Sequence, residues 1–144
     1  MSLGITAAFS VLVAMVLIGC TQSISREKLV GTYHLQHPQA GMIELILLSD
    51  GSFAETIRPV NGQLVRREGR WLPPDEKNRA LGLEGLWIPR EFAPDYILMA
   101  DEMNKGGVQY TAPGYWVGKP EQRLGKVTIP VFPDADIKFE RVSP

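Results

Sequence analysis

Met42-Ile43-Glu44-Leu45-Ile46-Leu47-Leu48-Ser49-Asp50-Gly51-Ser52-Phe53-Ala54-Glu55-Thr56-Ile57-Arg58 reads as two β-strands joined by a tight turn. Asp50-Gly51 is the turn signal, because this pair accepts the positive backbone dihedrals of the favoured hairpin turns. The segment from Met42 to Leu48 places apolar residues on both faces, as a central strand does, and Phe53 to Arg58 returns beside it. Upstream, Leu29 to Gln36 alternates Leu29, Gly31, Tyr33 and Leu35 on one face with Val30, Thr32, His34 and Gln36 on the other. That period of two predicts another strand. Downstream, Pro59 and Asn61-Gly62 form a further turn before a fourth strand over Gln63 to Trp71. Pro73 and Pro74 stop it, since proline gives no hydrogen bond to a ladder.

Asp75 to Arg79 then makes an exposed connection, and Ala80 to Leu83 with Leu86 to Ile88 are candidates for one short strand, broken or bulged at Gly85. Residues 89 to 107 are the least regular part, with an apolar patch at Tyr96 to Ala100 expected as a strand. Val108 to Thr111, Tyr115 to Val117, Leu124 to Val131 and Ile137 to Val142 complete the series. No window of the domain sustains a helical period, and Gly and Pro recur every few residues. The expected fold class is all-β. About eight short strands in sequential hairpins form an antiparallel meander, which curls into a small barrel or packs as a two-layer sandwich; the barrel, which removes exposed edges, is preferred.

The amino terminus is of another kind. From Leu3 to Ile18 the chain is uncharged and apolar, shorter than the roughly 20 residues that span a bilayer core, and the right length for the apolar region of a cleaved signal peptide. It ends in Leu17-Ile18-Gly19-Cys20, and Cys20 is the chain's one cysteine. This segment resembles the lipobox of bacterial lipoproteins: a branched apolar residue, a small or aliphatic residue, Gly or Ala, then Cys. The resemblance implies a diacylglyceryl group on the Cys20 thiol, cleavage before Cys20, and often acylation of the new amino terminus. Two or three acyl chains hold a protein stably on a membrane where one gives only marginal binding. Three parts follow: 1–19 a signal peptide, 20–28 the lipidated cysteine and a polar tether, and 29–144 the β domain. The tether, fully extended, reaches about 30 Å, which keeps the domain close to the membrane. Thr21 after the cysteine, rather than Asp, resembles the outer-membrane sorting preference of enteric-type bacteria. The expected location is the bacterial cell envelope, lipid-anchored, on the outer membrane facing the periplasm if the source is Gram-negative.

Gly31-Thr32-Tyr33, the strand-Asp50-Gly51-strand hairpin, Gly69-Arg70-Trp71 and the ending Asp136-Ile137-Lys138-Phe139-Glu140-Arg141-Val142 resemble small predicted bacterial lipoproteins and lipocalin-like β domains. The resemblance implies a fold and assigns no activity.

A formal net charge of -1 gives no basic stripe to neutralise phosphates, so nucleic acid is not an expected partner. Arg66, Arg67 and Arg70 are the densest basic cluster, and strand alternation divides them between two faces. His34 and His37, the two histidines, lie on opposite faces of their strand with no third ligand, so zinc is not expected. Asp134 and Asp136 lack the glycine and distal glutamate of a calcium loop, and Asp95, Asp101 and Glu102 read as surface charges. Gly106-Gly107 lacks a phosphate-loop context, and no Gly-x-Ser-x-Gly elbow marks a nucleophile. No cofactor, metal or enzymatic activity is therefore expected. The aromatic cluster Tyr110, Tyr115 and Trp116 around Pro113-Gly114 is the one candidate contact site for a ligand or partner. Two functions stay open: a non-catalytic structural or protein-interaction module of the envelope, and a small-molecule or lipid carrier that uses the barrel interior.

Overall fold

The computed structural model describes residues 24–75, 77, 79–92, 114–132 and 136–143. Apart from one turn of helix, α1 (Arg26–Leu29), and a 3₁₀ turn at Arg90–Phe92, the described elements are strands: β1 (Gly31–His37), β2 (Gly41–Leu47), β3 (Ser52–Pro59), β4 (Val65–Leu72), β5 (Leu81–Leu86), β6 (Gly114–Gly118), β7 (Glu121–Arg123), β8 (Lys126–Phe132) and β9 (Ile137–Ser143). They form one antiparallel sheet in the order β6-β5-β4-β3-β2-β1-β9-β8-β7. The two ends of that order, β6 and β7, are separated in the chain by Lys119 and Pro120 alone. Three peptide steps span at most about 11 Å, so the sheet must curl until its ends meet, and β6 comes within 8 Å of β8. The result is a half-barrel. Counted as one strand interrupted at Pro120, β6 and β7 pair with β5 through the first part and with β8 through the second. Among the described residues the meander then has eight strands, as the sequence led one to expect.

Alternation decides what lies inside. Tyr33 and Leu35 of β1, Ile43, Leu45 and Leu47 of β2, Phe53 and Ile57 of β3, Trp71 of β4, Leu81 and Leu83 of β5, Val127, Ile129 and Val131 of β8 and Phe139 of β9 are buried in one core. Tyr33, Phe53, Trp71, Phe92 and Phe139 are its large aromatics, none more than 2% exposed. At β4 the inner face narrows to a glycine. A Cβ on Gly69 would collide with the Phe53 ring and the Glu84 carbonyl oxygen, so the missing side chain is what lets Phe53 and β5 lie flat against β4.

The Asp50-Gly51 hairpin forms as expected, with a particular geometry. Gly51 alone takes a positive φ, 89°, its N–H donates to Leu48 O at 3.2 Å, and Leu48 N–H donates to Ser52 O at 3.0 Å. This is a tight turn completed by a glycine bulge rather than a two-residue primed turn. Asp50 Oδ1 accepts from the Ser52 N–H and Oγ at 2.9 and 2.6 Å, which holds the Asp50 carboxyl below its ordinary range. Met42 to Arg58 thus pairs in unbroken register, from Gly41 opposite Pro59 to Leu47 opposite Phe53.

Three expectations change. Leu29, read as the start of β1, ends α1 instead, and is fully buried like Tyr33, with which it was grouped on one face. Residues 24 to 28, read as tether, belong to the folded unit. Ile24 is 9% exposed, Arg26 donates to Ser49 O at 3.0 Å and covers the Trp71 ring at 5.2 Å, and Arg141 donates to Lys28 O at 2.9 Å and Val30 O at 2.6 Å. The polar run misled because its exposed middle, Ser25 to Lys28, is flanked by two apolar residues that point inward. Leu124, read as the first residue of a strand, sits at a hairpin tip. Leu124 and Gly125 have φ of 50° and 79°, the left-handed pair of a primed two-residue turn, and Glu121–Arg123 is the extra short strand it creates. The expected strands at Tyr96 to Ala100 and Val108 to Thr111 lie outside the described residues.

Candidate functional site

The inner face of β3 reads Phe53, Glu55, Ile57, so the alternation that buries two apolar side chains carries a carboxylate in with them. Glu55 is 1% exposed, the one buried charged residue among those described. Its cross-strand partner on β4 is Arg67, which shares the inward side with Trp71 and Gly69. The third member arrives from β5. Gly85, at φ 93°, makes a bulge between Glu84 and Leu86, and beyond it the chain leaves the ladder and turns toward Glu55. Trp87 N–H then donates to Glu55 Oε2 at 3.2 Å, and the Arg67 guanidinium lies 5.8 Å from the centre of the Trp87 ring.

Burial raises the Glu55 carboxyl to about 7, opposed in part by the Trp87 N–H and the Arg67 charge. An isolated carboxylate is costly in such surroundings, and the group responds by holding its proton to higher pH. Hydrogen bonding within the cluster is incomplete. Glu55 Oε1 and Arg67 Nε are both buried and have no hydrogen-bond partner among the described residues. Their residues are cross-strand partners, so one acceptor and one donor are left open between the same two strands. Tyr33, by contrast, is satisfied: its hydroxyl donates to Leu29 O at 2.7 Å, and burial pushes its pKa up to about 12.

The residues singled out in the sequence fall elsewhere. Cys20 and Tyr110 lie outside the described residues. Tyr115 and Trp116 are consecutive in β6, opposite Glu84 and Leu83 of β5, two strands along the sheet from β4. Arg66 and Arg70 face water and Arg67 faces in, the division that alternation predicts. His34 Nε2 stands 3.2 Å from Glu44 Oε2, with Arg58 Nη2 3.6 Å from the other carboxylate oxygen. His37 Nδ1 accepts from the Ala40 N–H at 3.2 Å, and its ring meets Phe92 edge-on. Asp136 pairs with Lys138 at 2.9 Å, and Asp134 lies outside the described residues. No three His, Cys, Asp or Glu side chains among the described residues gather in a way that could hold a metal ion.

On the outer face of β7, β8 and β9 a groove of about 380 Å³ is lined by Glu121, Arg123, Lys126, Asp136, Lys138 and Glu140. Its charges are matched within it: Lys126 with Glu140, Arg123 with Glu121, Lys138 with Asp136. It therefore offers no net charge to a ligand. Glu55 was legible in principle, since counting by two from Phe53 reaches it.

No family model matches the chain, and no curated protein matches it. Among solved structures, the chain is similar to an uncharacterized protein from Bacteroides eggerthii, at 15% identity over 78% of this chain and 98% of that one, with a TM-score of 0.40.

Proposed function

We propose that this chain is a lipoprotein of the bacterial cell envelope, anchored through Cys20, whose β domain acts as a non-catalytic structural or protein-interaction module. The observation that supports this reading best is the interior, where the large aromatic side chains Tyr33, Phe53, Trp71, Phe92 and Phe139 are each nearly inaccessible, as in a packed core, whereas a carrier lines an open cavity. The lipobox-like Leu17-Ile18-Gly19-Cys20 supplies the anchor. No helix of the described residues is long and apolar enough to cross a membrane. Mass spectrometry of the mature amino terminus tests the anchor, and complementation of a deletion strain by an exported Cys20→Ser variant tests its role. An unmodified Cys20 in exported protein sinks the first. Full rescue by the stable, unanchored variant sinks the second.

One observation favours a second reading. The open acceptor of Glu55 and the open donor of Arg67 suit a small molecule with an adjacent donor and acceptor, carried in the barrel. Native mass spectrometry of the protein from its own envelope separates the two, because a carrier retains a ligand and loses it on Glu55→Gln substitution.

A further inference from the structure

We propose that the end of the barrel bearing α1 is a membrane-contact face, seated on the lipid surface to which Cys20 is anchored. The inference rests on the lipoprotein reading and adds an orientation to it. Strand register defines the end. Gly31 opposite Leu47, Leu72 opposite Gly82, Leu81 opposite Gly118 and Thr32 opposite Ser143 bring the β2–β3 turn, the end of β4, the β7–β8 hairpin tip and the end of β9 to one rim, beside α1. Among the described residues six large apolar side chains are exposed, and Leu48, Leu72, Leu124 and Val142 stand on this rim; Val60 and Leu64 lie at the opposite end.

Leu124 is the most telling of these. It occupies a turn position with φ 50°, where glycine and asparagine are at ease and a branched apolar residue is strained. Its side chain is wholly exposed, at 107% of its reference area. Neither the turn nor the core gains anything from a leucine there. A lipid surface does, because an apolar side chain at a loop tip enters the boundary between headgroups and acyl chains.

The occupant follows from where the chain leads. Ile24 is packed on the barrel, and four peptide steps separate it from Cys20, a reach of at most about 14 Å. A lipid on Cys20 can then only hold this end of the barrel near the bilayer. The opposite rim, the far side of seven-residue strands rising about 3.3 Å per residue, is roughly 20 Å further away.

The test uses the full-length chain purified from bacterial membranes, with a fluorescent coumarin amino acid replacing Leu124 in one variant and Val60 in another. Both are placed in phosphatidylethanolamine–phosphatidylglycerol vesicles with and without spin-labelled lipid. The coumarin at 124 is expected to lose about half its emission to the lipid-borne quencher, as befits a depth of ~5–10 Å, and the coumarin at 60 to lose none. Equal quenching at both sites, or none at 124, overturns the proposal. A blue shift at 124 in detergent that lipid leaves unchanged also overturns it, in favour of a second copy or a protein partner. Mass spectrometry of the same samples reads Cys20. Unmodified Cys20 with quenching at 124 refutes the anchor and leaves the face standing, whereas acylated Cys20 without quenching refutes the face and leaves the anchor.

Discussion

Replacing Glu55 with Gln should change how stability depends on pH more than it changes stability itself. In the folded protein the carboxyl holds its proton up to about 7, against 4.5 when unperturbed. The native state therefore binds more protons than the unfolded chain between those two values. Stability falls as pH rises wherever that is so. The contribution of the protonated group is complete below about 4.5, declines through the interval and is lost above about 7. At about 1.4 kcal/mol per pH unit, the fall amounts to roughly 3 kcal/mol, a large share of a small domain's total. Gln keeps an acceptor for the Trp87 N–H and cannot ionise, so its curve lacks that decline. Its amide must find an acceptor beside Arg67 Nε, which sets a constant offset of about 1–3 kcal/mol that does not vary with pH. Urea unfolding of both proteins from pH 4 to pH 8 reads the difference directly. The Gln variant should gain about 3 kcal/mol on the wild type across that range, near 10 °C in melting temperature. Curves that stay parallel to within about 0.5 kcal/mol would show that Glu55 is not held neutral by burial, and the description of the interior cluster would fail with them.

Gly69→Ala should cost about 3 kcal/mol or more by chemical denaturation, because its methyl group meets the Phe53 ring and the Glu84 carbonyl oxygen with no room to yield; a loss under about 1 kcal/mol would contradict that packing. Gly51→Val should lower the melting temperature more than Ser52→Val. The first forces a β-branched residue to φ 89°, and the second removes one hydroxyl hydrogen bond to Asp50, so equal losses would remove the glycine bulge from the hairpin. Trp71→Phe should cost about 1 kcal/mol beyond its lost area, as the indole N–H bond to Leu48 O at 2.8 Å disappears. Hydrogen exchange should show the Leu48–Gly51 turn loosening first.

What was legible in the sequence was what alternation and turn chemistry govern. Phe53 to Arg58 was legible as a strand returning beside the one before it, and Asp50-Gly51 marked the turn that sets its register against β2. A break or bulge at Gly85 was visible for a related reason, since a lone glycine within a strand pattern marks a departure from the ladder. The site was hidden because it depends on what that departure does in three dimensions. Glu55 reads as one more charged residue in a strand until Gly85 is seen to turn the Trp87 N–H inward, and Arg67 reads as part of a basic surface run until the turn at Asn61-Gly62 sets it opposite Glu55. Leu124 was misplaced by the rule that served elsewhere. An apolar residue beside Gly125 extends a strand pattern on paper, and only the paired positive dihedrals show that it caps a turn in full solvent exposure. The two surprises share a cause: in each, a residue type departs from what its position asks of the fold. A carboxylate stands where an apolar residue would pack, and a leucine stands where a glycine would turn. Departures of this kind cost stability and concentrate where a protein does something besides fold. In this chain they separate, Glu55 inside the barrel and Leu124 at the rim beside α1. Ligand and membrane are accordingly distinct questions, each answered by its own substitution.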